Sequence, residues 1–96
     1  MPVTANIYRH VLANATASTL TLPACPASGA NSFSLTVKVK QGSLGTGTIT
    51  WAGSVTWDSA TIPDPTTVNN GVTIYQFLCI GDDSPATWYG MQVWKN

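Results

Sequence analysis

From residue 32 to residue 40 the chain alternates without a break. Phe33, Leu35, Val37 and Val39 fall on one side of an extended backbone, and Ser34, Thr36, Lys38 and Lys40 on the other. Only a β-strand sends successive side chains to opposite faces, so this run predicts a half-buried strand with one wet face. No stretch of the chain offers the competing pattern, a helical periodicity opened by an N-cap and closed by glycine. An all-β fold is the expectation.

The other segments read as strand and turn. Ser18-Thr19-Leu20-Thr21-Leu22 alternates and stops at Pro23, which cannot donate to a ladder. Residues 6–12 are a weaker candidate, because their apolar side chains occupy both parities. Gly42, Gly45 and Gly47 mark a loop before the strand Thr48-Ile49-Thr50-Trp51, and Ala52-Gly53 bends the chain into residues 54–57. Pro63 and Pro65 flank Asp64 in a long connection over 58–68. Asn70-Gly71 is a tight-turn signal, since both residues tolerate positive φ. Residues 72–80 are apolar on both parities, which predicts a strand buried on two faces. A turn over 81–85 leads to a last strand over 86–94. Roughly six to eight short strands at this spacing predict one small antiparallel β-sandwich, jelly-roll-like, over 7–96, with an N-terminal arm over 1–6.

Composition narrows the function classes. Charged residues make up 8% of the chain, against about 25% in an ordinary globular domain. They are Arg9, Lys38, Lys40, Lys95, Asp58, Asp64, Asp82 and Asp83, and the net charge is zero. A neutral surface gives little protection against association, so the chain is expected to live in an assembly, as a homo-oligomer. Four scattered basic residues cannot neutralise a phosphate track, which argues against nucleic acid. No apolar run approaches the ~20 residues that span a bilayer. The N-terminus lacks the basic and apolar regions of a secretion signal, so the chain is expected to be made and kept in a cytoplasm until released. In such a compartment Cys25 and Cys79 are expected as buried thiols rather than a bridge.

Candidates for chemistry are few. A nucleophile needs a base oriented by a third group, and the only histidine, His10, has no carboxylate near it in sequence. Two thiolates and one distant histidine do not complete a zinc site. Asp82 and Asp83 are adjacent and point apart on an extended chain, whereas Asp58 and Asp64 flank the Pro-rich loop. Turn residues bonding their own backbone are the favoured reading over a glycosidase pair or a calcium site. No phosphate-binding glycine loop matches. The chain is therefore not expected to be an enzyme, and no cofactor or metal is expected. The tryptophans Trp51, Trp57, Trp88 and Trp94, with Phe77 and Tyr89, are expected to serve core or interface packing. Trp51 shares its strand face with Ile49, and Trp57 shares its face with Val55, which favours packing over sugar stacking. The sequon Asn14-Ala15-Thr16 reads as a chance match.

Over 19–90 the chain resembles the small β-sandwich domain of tailed-bacteriophage virion proteins, often found at the C-terminus of tail fibres. The matching elements are Leu20-Thr21-Leu22 with Pro23, the alternating strand through Phe33 and Val37, and Gly47-Thr48-Ile49-Thr50-Trp51. They continue through Val55-Thr56-Trp57, Ile62-Pro63, Ile74-Tyr75-Gln76-Phe77, and Asp82-Asp83 with Trp88-Tyr89-Gly90. The resemblance implies a virion component, commonly trimeric, without catalytic residues. Around Asp58-Ser59-Ala60-Thr61 the chain departs from the Gly-rich turn of that pattern. With no fibrous shaft ahead of the domain, the expected role is a capsid decoration or cement protein that binds the major capsid protein. The homotrimer would sit on the capsid surface rather than the tail, with Met1, Pro2, Val3, Thr4 and Ala5 as a capsid-contacting arm. The alternative is a tail-fibre or tail-tip adhesin that stacks host-surface glycans on exposed tryptophans.

Overall fold

A computed structural model describes residues 5–25, 31–52, 55–58, 61–81 and 87–96. Among these residues it holds seven strands and no helix: β1 (Ala5–Val11), β2 (Ala17–Thr21), β3 (Ser32–Lys40), β4 (Thr48–Ala52), β5 (Val55–Trp57), β6 (Val72–Ile80) and β7 (Trp88–Lys95). Five of them form one sheet in the order β1-β3-β6-β7-β5, and β2 and β4 form a second. The protein is all-β.

The large sheet is mixed, which corrects the wholly antiparallel expectation. β6 runs antiparallel to both β3 and β7, but the edge strands β1 and β5 lie parallel to β3 and β7, and β2 lies parallel to β4. Parallel neighbours cannot be joined by a tight turn. The chain separates β1 from β3 by an excursion through β2 in the other sheet, and it separates β5 from β7 by the oppositely directed β6. The domain boundary also moves, because Ala5 and Asn6, expected in the arm, open β1 opposite Ser34 and Leu35. The rest of that arm, Met1 to Thr4, lies outside the described residues.

Pairing puts the alternation of β3 against that of β6. Phe33 faces Cys79, Leu35 faces Phe77, and Val37 faces Tyr75. The two-stranded sheet lies on this side: the ring of Trp51 on β4 sits 4.9 Å from Tyr75 and 5.1 Å from Phe77. Trp57 on β5 completes the group, 5.6 Å from Trp51 and 5.5 Å from Phe77, mostly edge to face. Gly90 makes this cluster fit. A Cβ there would meet the rings of Phe77 at 2.9 Å and Trp57 at 3.0 Å. The glycine that ends Trp88-Tyr89-Gly90 is thus a space for rings.

Cys25 and Cys79 form a disulfide, with Cα atoms 6.0 Å apart, within the range a bridge can span. This corrects the expectation of buried thiols. Stacking of the sheets brings the segment after β2 over the end of β6, a proximity that a separation of 54 residues conceals. Beside the bridge, the Trp88 indole N–H donates to the Pro23 carbonyl at 2.8 Å. Both contacts fasten the segment after β2 to the large sheet.

At the other end a buried polar side chain organises the loops. Gln41 is 1% exposed. Its Nε2 donates to the carbonyls of Gly47 at 3.0 Å and Thr66 at 2.8 Å, and its Oε1 accepts the N–H groups of Gly42 and Gly47 at 3.0 and 2.9 Å. The Thr66 N–H donates to Thr73 Oγ1 at 2.8 Å, so the Pro-rich connection is tied to β6 as well. The turn signalled by Asn70-Gly71 is present, with Asn70 at φ 57° and the Gly71 N–H donating to Val68 at 2.9 Å. It leads a loop into β6 and does not join two paired strands.

Candidate functional site

β6 is the middle strand of the large sheet, and its two faces meet different fates. Thr73, Tyr75, Phe77 and Cys79 point to the small sheet and are fully buried. Ile74, Gln76 and Ile80 on the other face are half-buried, and Leu78 is exposed. Burial on two faces was expected from the sequence; among the described residues, only one face is covered.

The register of the sheet sets out what the uncovered face presents. One row across it reads Arg9, Lys38, Ile74, Trp94; the next reads Ile7, Thr36, Gln76, Met91; a third reads Ser34, Leu78, Tyr89, Thr56. Most of the large apolar groups in these rows stand on β6 and β7, with hydroxyls and two cations toward β1 and β3, where Ile7 is the apolar exception. The Thr36 hydroxyl donates to Gln76 Oε1 at 3.0 Å, which orients the one amide among them. Tyr89, Met91, Val93 and Trp94 are exposed, with Trp94 56% open to solvent.

Trp94 owes its position to an irregularity. Strict alternation would put it on the same face as Trp88, which is buried opposite Cys79. Between Ile74 and Tyr75 the register shifts, so that Tyr75 pairs with Gln92 while its neighbour Ile74 pairs with Trp94. One extra residue on β7 re-aims the side chain that follows, as β-bulges do. Of the six aromatic residues singled out from the sequence, Trp51, Trp57, Phe77 and Trp88 belong to the core or pack against it, and Tyr89 and Trp94 face outward.

The inner side of the large sheet offers a second concavity. A cleft of about 400 Å³ opens between β2 and the β1–β3 side, with walls that include Tyr8, Leu20, Leu22, Phe33, Val37 and Trp51. Tyr8, Thr19 and Thr21 are the hydroxyl-bearing residues along its wall.

The residues weighed for chemistry are dispersed. His10 lies on β1 with its Nε2 buried and without a hydrogen-bond partner. No group of three or more His, Cys, Asp or Glu side chains that could hold a metal occurs among the described residues. Asp82 and Asp83 lie outside those residues. Asp64 contributes its backbone carbonyl to Gln92 Nε2 at 2.7 Å. Gln92 also reaches the Tyr75 hydroxyl, which itself donates to Pro63 at 3.1 Å. Burial pushes the Tyr75 phenol up to about 12; the Gln92 hydrogen bond opposes the shift and the Asp64 charge adds to it. The sequon asparagine serves a loop: Asn14 Oδ1 accepts the Leu44 N–H at 3.0 Å, and its Nδ2 donates to Ser43 Oγ at 3.1 Å.

The surface on β6 and β7 was missed in the sequence because apolar residues on both parities read as burial. The available signal was β6 itself, too apolar on its second face for a strand covered once. Comparison with protein-family models, curated proteins and solved structures finds no match to this chain.

Proposed function

We propose that this chain is a non-enzymatic bacteriophage virion structural protein, a decoration or cement subunit that binds the major capsid protein and stabilises the head. Its fold is taken as a small β-sandwich, jelly-roll-like in layering, with one layer much wider than the other. The observation that carries the proposal is the apolar face of β6 and β7, where Leu78, Tyr89, Met91, Val93 and Trp94 stand in water. Contiguous exposed apolar surface of this kind marks an interaction site, and a subunit of a shell has neighbours to cover it. The disulfide supports the same reading, since bridges persist where a protein works outside the reducing cytosol. The capsid-contacting elements are the N-terminal segment and one end of the domain. Each copy adds modest interfacial energy, and the lattice gains through many copies.

The test is immunogold labelling of purified particles with antibody against the chain. Label distributed over the head supports decoration, and particles without the protein should then lose resistance to heat, chelation and low salt. Absence of the protein from intact particles overturns the proposal. Trp94 favours a second reading, the tail adhesin, because its exposed ring could stack on a sugar. Label confined to the tail, with saturable binding to host cells that Trp94→Ala abolishes, selects that reading.

A further inference from the structure

We infer that the outer face of β6 and β7 is where copies of this chain pack against one another. The inference deepens the assembly part of the proposed function by naming the partner and the surface. It starts from β6. A strand that is apolar on both parities is the pattern of a strand covered on both faces, and the small sheet covers only one. The missing cover has to match a face whose centre is Ile74, Leu78, Tyr89, Met91 and Trp94 on β6 and β7, with the single amide of Gln76 among them, and whose flanks are Thr36 and Lys38 on β3 and Thr56 on β5. An apolar centre within a polar margin is the anatomy of a protein interface.

Size and charge point to the same occupant. Five strands at about 4.8 Å and eight residues at about 3.3 Å give a face of roughly 600 Å² in plan. Side chains raise the accessible area above the plan area, toward the ~800 Å² per partner of a standard interface. The face carries no anion in its three rows, and its cations, Arg9, Lys38 and, one row further along β3, Lys40, stand on the β1–β3 side. An acidic partner would find no charge at the apolar centre, whereas a second copy brings a matching apolar centre. Related by a symmetry axis, two such faces bury their centres together and keep the lysine flanks apart. Sheets packed in this way lie about 10 Å apart, with the facing side chains interdigitated.

The experiment is sedimentation equilibrium of the purified, oxidised chain across a wide concentration range. The expected result is a dimer, because a face that packs on its own copy closes at two. Met91→Lys and Trp94→Lys should each raise the dissociation constant by about 30-fold or more, the effect of losing one hot-spot side chain. Leu44→Lys removes a still more exposed apolar side chain from a loop away from the face, and should leave association unchanged. A second measurement needs no variant: peroxide oxidation of Met91, followed by peptide mass, should slow at concentrations where the oligomer forms. A monomer at every concentration overturns the inference, and so does an oligomer indifferent to both face substitutions with Met91 equally oxidised. Either failure leaves the location of the protein on particles, read by immunogold, as a separate result.

Discussion

Gln41→Leu is the substitution that tests most directly how the loop end of the domain is held. A glutamine amide has two N–H donors and two acceptor sites on its oxygen, and Gln41 uses all four on the backbone of Gly42, Gly47 and Thr66. Leucine matches the side chain in bulk, so little cavity arises, but four backbone groups lose their partner. Three of the bonds are fully buried, and the Gly42 bond is only partly so. Each buried group left unpaired costs about 1–3 kcal/mol. Allowing for relaxation, the expected loss is about 4 kcal/mol, a large share of the 5–15 kcal/mol that stabilises a domain. For a chain of this size that is a fall in Tm of roughly 15–30 °C, measured by calorimetry or circular dichroism. Gln41→Glu adds a pH arm. Its carboxylate would face two carbonyls in a buried site, which raises its folded pKa above the unfolded value of about 4.3. A raised folded pKa means stability that is full below the unfolded value and lost as pH rises through the folded one. The Glu variant should therefore gain stability on acidification relative to wild type. A Leu variant melting within a few degrees of wild type would refute the argument, since water or loop movement would then be replacing the amide.

Three further outcomes are expected. Replacing Cys25 and Cys79 by serine should cost about 4 kcal/mol, the loop-closure value for a 54-residue separation, read as a lower midpoint in denaturant. Gly90→Ala should cost about 1–3 kcal/mol by overpacking, because its Cβ would press on the rings of Phe77 and Trp57; near-ultraviolet dichroism should change with it. Alkaline titration should show the Tyr75 phenolate forming only near pH 12. Since burial holds the folded pKa above the unfolded value of about 10, stability should fall between those two values, and Tyr75→Phe should remove that component.

The strands were legible wherever one face is dry and the other wet. β3 alternates because Leu35, Val37 and Val39 meet the core while Lys38 and Lys40 meet water, and no helix satisfies that pattern. Which strands pair was not legible, because the parallel edge β1 depends on an excursion through β2 in the other sheet, and the parallel edge β5 on the passage through β6. Gln41 gave no signal, since one polar residue before a glycine loop looks like a surface residue until the loop folds around it. Tyr89 and Trp94 were visible as aromatics, but only the bulge on β7 decides that Trp94 turns outward. The candidate surface was hidden for a related reason: periodicity reports that a face is apolar, not what covers it.

The bridge between Cys25 and Cys79 also changes what a cut in the chain means. It turns the polypeptide into a ring with two tails: the ring carries β3, β4, β5 and β6, one tail carries β1 and β2, and the other carries β7. A protease that cleaves once within the Pro-rich connection opens the ring without parting the molecule, so the nicked protein keeps its mass until a reductant is added. A single cut between β6 and β7 instead leaves β7 held only by its pairing with β5 and β6 and by its side-chain contacts. A gel run with and without reductant would separate these two kinds of damage.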